Sequence, residues 1–100
     1  MSFINVTDLQ IEHAEIDQGG SFFVKGNVEN RAELNYQKNG DHIIISHTMV
    51  DGELEGLGIG TKLVYAAIDY AQKEGVKVLP LCSFAENIFY KDKSLHQFLK

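Results

Sequence analysis

The chain contains 100 residues, close to the commonest size of one domain, and its 44% hydrophobic and 23% charged residues are ordinary for a globular protein. Nine basic residues stand against fourteen acidic ones, which gives a net charge of −5. This balance argues against nucleic acid as the main partner, because phosphate contacts need a basic patch. No apolar run approaches the roughly 18–20 residues that span a bilayer. We therefore expect one domain over residues 1–100 that binds neither nucleic acid nor a membrane.

The cysteine and histidine residues indicate a compartment and argue against a metal site. Cys82 is the only cysteine, which excludes a disulfide within the chain and is typical of a reducing compartment. Acidic residues that begin at Asp8 interrupt the N-terminal segment, which does not resemble a secretory signal. Neither Cys-x-x-Cys nor His-Glu-x-x-His occurs. We expect a cytoplasmic protein without a bound metal.

The first half of the chain predicts four consecutive strands joined by short turns. Alternation is clearest where Ala32, Leu34 and Tyr36 share one face. The following segment, 38–41, contains Asn-Gly and predicts a tight hairpin. The segment 17–20 predicts an earlier turn. The expected strands cover residues 9–14, 21–25, 32–37 and 42–50.

The second half changes to a helical period. Five apolar positions between residues 60 and 74 form one stripe, namely Leu63, Val64, Ala67, Ile68 and Ala71. Gly75 predicts the end of this helix, and residues 76–82 predict a buried strand. A strand, a helix and a strand predict a parallel βαβ pair. Ser83 and Glu86 form a capping-box pattern, so a second helix is expected from Ser83 to about Asp92. The fold class is α+β.

Gly56, Gly58 and Gly60 stand at alternate positions between the fourth strand and the long helix. Residues 55–60 are called the glycine loop below. A backbone without Cβ atoms, followed by a helix N-terminus, can present free N–H groups to a phosphate. A dinucleotide fingerprint would need glycine in place of Thr61, and a Walker A loop would need Gly-Lys-Ser/Thr where the chain has Gly-Thr-Lys. The alternative is a tight turn that lets the helix and the sheet pack closely.

Three motifs occur in an order that carries a family resemblance. They are His47-Thr48-Met49-Val50, then Glu55-Gly56-Leu57-Gly58-Ile59-Gly60, then Leu81-Cys82-Ser83-Phe84. The glycine loop resembles the acyl-CoA pyrophosphate loop of the GNAT superfamily of N-acyltransferases, usually Arg/Gln-x-x-Gly-x-Gly/Ala. Over residues 22–90 the chain resembles a short single-domain subfamily of GNAT-like acetyltransferases.

The resemblance implies a fold and a cofactor. The expected fold is a reduced GNAT-like one, with a mainly antiparallel sheet, one parallel pair and two to three helices. The expected cofactor is acetyl-CoA, the acyl donor, and the free coenzyme A that it leaves. The positions that match the family's cofactor-binding segments are Thr48, Met49, Val50, Glu55, Gly56, Leu57, Gly58, Ile59, Gly60, Thr61, Ser83 and Phe84.

The sequence departs from the family pattern in two respects. Glu55 stands where the superfamily usually has Arg or Gln, so one favourable contact to the pyrophosphate is missing. The helices that usually follow the first strand, and the two strands that usually follow the last helix, are also missing. The cofactor half of the family fold is therefore expected in full, and the acceptor half in reduced form.

Cys82 and His47 are the candidate catalytic residues. The resemblance implies that Cys82 ends the fifth strand and that His47 lies toward the end of the fourth. Cys82 is a candidate nucleophile if His47 or the following helix lowers its pKa; the alternative is a buried, inert thiol. His47 is a candidate general base, or else a hydrogen-bonded core residue. Regular alternation predicts that His47 shares a face with Ile43, Ile45 and Met49, whereas Thr48 lies on the other face with Ile44 and Val50.

The expected function is transfer of an acetyl group from acetyl-CoA to an amine acceptor, whose identity the sequence does not give. Cys82 is a candidate carrier of that group. The alternative is an acyl-CoA-binding or sensing module without turnover, which the reduced acceptor half and Glu55 favour. We expect a monomer or a weak homodimer.

Overall fold

The computed structural model describes residues 10–100, so the predictions that concern Asp8 and Leu9 lie outside the described residues. Five strands form one sheet in the order β1-β2-β3-β4-β5. Helix α1 connects β4 to β5, and helix α2 and a 3-10 helix follow β5. The bounds are β1 Glu12–Ile16, β2 Gly19–Val24, β3 Ala32–Asn39, β4 His42–Val50, α1 Ile59–Glu74, β5 Lys77–Pro80, α2 Ser83–Lys91 and the 3-10 helix Lys93–Phe98.

The first four strands pair antiparallel, as predicted. Gly40, with φ of 62°, makes the expected tight hairpin between β3 and β4. The first turn is shorter than expected, because Gly19 and Gly20 belong to β2. A Cβ atom on Gly20 would clash with the backbone carbonyl oxygen of Ala14 and would lie 2.7 Å from the hydroxyl oxygen of Tyr36. Glycine is therefore needed inside this strand by the close approach of β1 and of an aromatic ring, although in the sequence it resembles a turn residue.

The parallel βαβ unit of the second half is confirmed. The apolar stripe of α1 is buried against the sheet, and its members Leu63, Val64 and Ala67 are fully buried. Gly75 ends the helix in the left-handed conformation, with φ of 71°. β5 then pairs parallel with β4 from His42↔Lys77 to Ile45↔Pro80. The fold is the predicted α+β arrangement with four antiparallel strands and one parallel pair. No helix within residues 10–100 is long and apolar enough to cross a bilayer.

α2 begins differently from the prediction. Its N-cap is Cys82, whose carbonyl oxygen accepts a hydrogen bond from the Glu86 N–H at 3.0 Å, and no side chain caps the helix. The capping box predicted from Ser83 and Glu86 is therefore wrong. β5 ends two residues earlier than expected, since Leu81 and Cys82 both donate to the same carbonyl of β4. Cys82 thus lies at the entrance to a helix and not within a strand.

A β-bulge at Ser46 reverses the predicted faces of the second half of β4. Ile45 pairs with Tyr36 and His47 with Asn35, so one extra residue stands between two successive partners in β3. After the bulge Thr48 and Val50 lie on the inner face with Ile45. His47 and Met49 lie on the outer face and are exposed. The predicted face assignment of His47 and Thr48 is wrong because one extra residue shifts a two-residue period.

The C-terminal residues cover the outer edge of β5. Leu99 forms a parallel bridge to Val78, and the Lys100 N–H donates to the Val78 carbonyl at 2.8 Å. The Lys100 ammonium also contacts the Asp41 carboxylate at 3.0 Å, in the β3–β4 hairpin. Such an edge is otherwise a row of unpaired backbone groups.

A cluster of rings joins β1 to the sheet and to α1. The imidazole of His13 stacks on Phe22 with the ring centroids 4.1 Å apart, and its Nε2 lies 2.6 Å from the Tyr36 hydroxyl. Tyr70 of α1 meets the same imidazole edge-on. Burial lowers the pKa of His13, an effect that the neighbouring Glu15 carboxylate partly opposes. The neutral imidazole is therefore the form that stabilises the attachment of β1.

We predict that the stability of the fold decreases on acidification through His13. Because the folded pKa of His13 is lowered, the unfolded chain takes up the proton first, so stability is lost as the pH falls through about 6.5. The free energy of unfolding should fall between pH 8 and pH 5, and the fall should be smaller in His13→Gln. His47→Gln, which removes a histidine outside this ring cluster, is the control. Equal pH dependence in the wild type and in His13→Gln would contradict the prediction.

Candidate functional site

β4 and β5 separate at the bulge. Their pairing ends at Ile45↔Pro80, whereas the pairing of β4 with β3 continues to Val50↔Ala32. The Leu81 and Cys82 N–H groups both donate to the Ile45 carbonyl, at 3.0 and 3.3 Å. Pro80 has no N–H to extend the ladder. Residues 46–50 therefore have no partner in β5, and a gap opens between the two strands.

A cleft of about 500 Å³ lies at this gap. Nine of the twelve predicted cofactor-binding residues line it: Thr48, Val50, Glu55, Gly56, Gly58, Ile59, Gly60, Thr61 and Phe84. The other three, Met49, Leu57 and Ser83, do not line the cleft. Met49 is excluded because the bulge turns it to the outer face.

Leu54 lines the cleft but was not predicted. It is fully buried and belongs to the 3-10 turn Gly52–Leu54, which links β4 to the glycine loop. The sequence contained one signal for it, a single apolar side chain between Glu53 and Glu55. Burial of that side chain anchors an otherwise exposed connection to the core.

The glycine loop leads into an uncapped helix N-terminus. Gly56 and Gly58 have φ of 81° and 78°, a conformation that side chains other than glycine rarely adopt. The first hydrogen bond of α1 runs from the Lys62 N–H to the Gly58 carbonyl, at 3.0 Å. The N–H groups of Ile59, Gly60 and Thr61 therefore have no acceptor within the helix. No side chain caps this end, and its first turn contains no acidic residue. The arrangement suits an anionic group.

The three loop glycines have two different physical roles. A Cβ atom on Gly60 would lie 2.7 Å from Cζ of Phe84 and 3.4 Å from a methyl carbon of Val50. Cβ atoms on Gly56 and Gly58 would meet nothing within 4 Å. Gly60 thus permits close packing of α1 against its neighbours, whereas the other two are required by the backbone turn. The close-packing interpretation is confirmed for Gly60, whereas phosphate binding by the loop stays a prediction.

The electrostatics of the cleft are mixed. The N-terminus of α1 contributes a partial positive charge. Glu55 lines the cleft with an exposed carboxylate, which opposes the binding of an anion. Among residues 10–100, no group of three or more His, Cys, Asp or Glu side chains is arranged to hold a metal ion.

Thr48, and not His47, is the neighbour of Cys82. The Thr48 hydroxyl lies 3.4 Å from the Cys82 sulfur, at the inner end of the gap. His47 lies on the opposite face of the sheet, so the structure does not bring it to the thiol. Cys82 is partly buried and is the N-cap of α2. The hydroxyl and the helix end are therefore polar groups next to the sulfur.

Comparison with known proteins identifies the family. The family model described as GCN5-related N-acetyl-transferase matches residues 21–98. The chain belongs to this family. A GCN5-like candidate N-acetyltransferase from Staphylococcus aureus is 29% identical; the alignment covers 95% of this chain and 91% of that one, with a TM-score of 0.74.

Two further solved structures share the fold. An acetyltransferase from Bacillus subtilis, solved in complex with CoA, is 19% identical, with a TM-score of 0.63. The alignment covers 84% of this chain and 74% of the Bacillus subtilis chain. The ribosomal-protein-S18-alanine N-acetyltransferase from Escherichia coli is 21% identical, with a TM-score of 0.62. The alignment covers 77% of this chain but only 52% of the Escherichia coli enzyme.

We predict that deletion of Ser46 closes the cleft without unfolding the protein. The deletion removes the extra residue, and it leaves His47 opposite Asn35 and Thr48 opposite Leu34. β4 can then straighten toward β5. Affinity for coenzyme A, measured by calorimetry, should fall at least about tenfold, which corresponds to roughly 1.4 kcal/mol.

The control is Ser46→Ala, which keeps the extra residue and should bind like the wild type. Circular dichroism and thermal unfolding verify that both variants fold. Wild-type affinity in a folded deletion variant would show that the bulge does not create the cleft.

Proposed function

We propose that this chain binds acetyl-CoA in the cleft and transfers its acetyl group to an amine. The observation that carries the proposal is the uncapped N-terminus of α1, which follows two positive-φ glycines and opens on a cleft beside the unpaired part of β4. Family membership supports it, as does the shared fold of the Bacillus subtilis acetyltransferase that was solved with CoA. The amine remains defined only by its class.

Each wall of the cleft fits one part of the ligand. The N–H groups of residues 59–61 would bind the diphosphate. The unpaired edge of β4, residues 46–50, can pair with the amides of the pantetheine arm as another strand would. Its N–H groups can also polarise the thioester carbonyl. Val50, Leu54 and Phe84 supply apolar surface.

The helix end alone cannot give useful affinity. A helix dipole contributes at most about 2 kcal/mol, whereas micromolar binding needs about 8 kcal/mol. Most of the binding free energy must come from the backbone of β4 and from apolar burial. A bulge that exposes this backbone is therefore as important to binding as the glycine loop.

We predict that coenzyme A, added in an NMR titration, shifts the amide resonances of Gly56, Gly58 and Gly60. Glu55→Gln removes a carboxylate that lines the cleft, so it should tighten binding by a few-fold to about tenfold. Glu74→Gln removes the same charge at the far end of α1 and serves as the control. Unmoved glycine resonances at saturating coenzyme would refute the proposal.

We further propose that Cys82 accepts the acetyl group. The thiol proton would leave to water, and Sγ would then attack the thioester carbon as a thiolate and form a new carbon–sulfur bond. The bond to the sulfur of coenzyme A breaks, and that sulfur takes up a proton. An amine then attacks the acetyl-cysteine, loses a proton and regenerates the thiol. The Thr48 hydroxyl, 3.4 Å from Sγ, is placed to hydrogen-bond the thiolate.

His47 has a separate role in this proposal. It lies on the outer face of β4, next to Asn35 and away from the cleft. It could take a proton from an amine that approaches the gap from that face, but it could not activate Cys82. The two candidate residues would thus act on different partners.

We predict one added acetyl group on the intact protein after incubation with acetyl-CoA, measured by mass spectrometry. Cys82→Ala should abolish the adduct, and Thr48→Val should slow its formation several-fold because the sulfur loses its hydroxyl neighbour. His47→Gln should leave adduct formation unchanged and slow its discharge to amines. An unmodified wild type would exclude the cysteine route, and a slower adduct in His47→Gln would refute the division of roles.

A binding module without turnover is the second candidate, and the Glu55 carboxylate at the cleft favours it. The two functions differ in one measurement. An acetyltransferase releases thiol from acetyl-CoA in the presence of a panel of amines. A module binds the coenzyme in the NMR titration and releases none.

A further inference from the structure

Arg31 is the only arginine of the chain, and it lies where the connection to the glycine loop begins. Its N–H donates to the Val24 carbonyl at 2.8 Å, and its own carbonyl accepts from the Asp51 N–H at 2.7 Å. Its backbone is therefore fixed between the end of β2 and the end of β4. Its side chain is 29% exposed.

The guanidinium of Arg31 bridges two carboxylates of the connection. Its Nη2 donates to Oε2 of Glu53 at 2.9 Å, and its Nε lies 3.6 Å from Oδ2 of Asp51. The other oxygen of Asp51 accepts a hydrogen bond from the Glu53 N–H, at 3.4 Å. The guanidinium thus contacts Asp51 just before the turn Gly52–Leu54 and Glu53 within it. We call these three residues the arginine clamp.

The clamp adds to the restraints on a glycine-rich segment, which also has its own backbone hydrogen bonds and the buried side chain of Leu54. Gly52, Gly56 and Gly58 all lie within seven residues, and a Cβ atom on any of them would meet nothing within 4 Å. Such a backbone loses much conformational entropy when it is ordered. The clamp holds the start of the segment, and α1 holds its end.

The clamp also changes the charge beside the cleft. Asp51, Glu53 and Glu55 place three carboxylates within five residues, next to a site suited to an anion. Arg31 contacts two of them. Without its charge, the potential at the loop becomes more negative, and a diphosphate is repelled more strongly.

We propose that Arg31 is a positioning residue for the diphosphate loop, which it orders and whose acidic charge it offsets without touching the ligand. This inference rests on the proposed binding of coenzyme A. Arginine suits the role better than lysine, because its planar group can engage two carboxylates at once.

The test is the affinity for coenzyme A, measured by calorimetry. Arg31→Gln should weaken binding a few-fold, and Arg31→Lys, which keeps the charge, should weaken it less. Adding Glu53→Gln to Arg31→Gln should restore part of the loss, since it removes a carboxylate left without its partner. Lys73→Gln removes a cation of an exposed i, i+4 ion pair with Asp69 on α1 and should change the affinity less than about twofold.

Two outcomes overturn the inference. One is wild-type affinity in Arg31→Gln; the other is a loss that Glu53→Gln does not relieve and Arg31→Lys does not reduce, which would indicate a general loss of structure. The loop can also be tested without ligand. The Gly56 and Gly58 amide resonances should move or broaden in Arg31→Gln but not in Lys73→Gln. If the wild type binds no coenzyme A, the proposed function fails, and this comparison still decides whether Arg31 orders the loop.

Discussion

The site depends on a stretch of backbone that the sheet leaves without a partner. From Ser46 onward β4 keeps β3 on one side and loses β5 on the other. The backbone N–H and C=O groups on that side are left for a molecule in the cleft to pair with. The bulge, the proline at the end of β5 and the turn into α2 all serve to keep this stretch open. The glycine loop adds a place for charge at one end of it.

Hydrophobic periodicity along each element, together with the turn glycines, made most of the fold predictable. The stripe from Leu63 to Ala71 could only be a buried helix face, and Gly75 could only end it. The hairpin at Gly40 followed from local backbone preference. These signals persist over many residues or depend on glycine alone, so the tertiary structure did not override them.

The errors arose where a single residue decides the geometry. The sequence of β4 does not indicate that Ser46 is the bulged residue. This residue nevertheless places Thr48 on the face of Cys82 and His47 on the opposite face. A hydrophobic run at 76–82 likewise does not reveal that pairing stops at Pro80, because the end of a strand depends on its neighbour. Most residues that line the cleft were predictable from the three motifs of the family resemblance. The contacts among them were not, and neither was the clamp of Arg31, whose partners lie twenty residues or more away.

Because Cys82 and His47 lie on opposite faces of the sheet, a molecule can reach each of them from a different side. A molecule that reaches His47 crosses the exposed outer surface and does not pass the glycine loop. If the cleft binds coenzyme A and His47 meets the amine, as proposed, the two molecules occupy different volumes. Steric exclusion then imposes no order of binding on them.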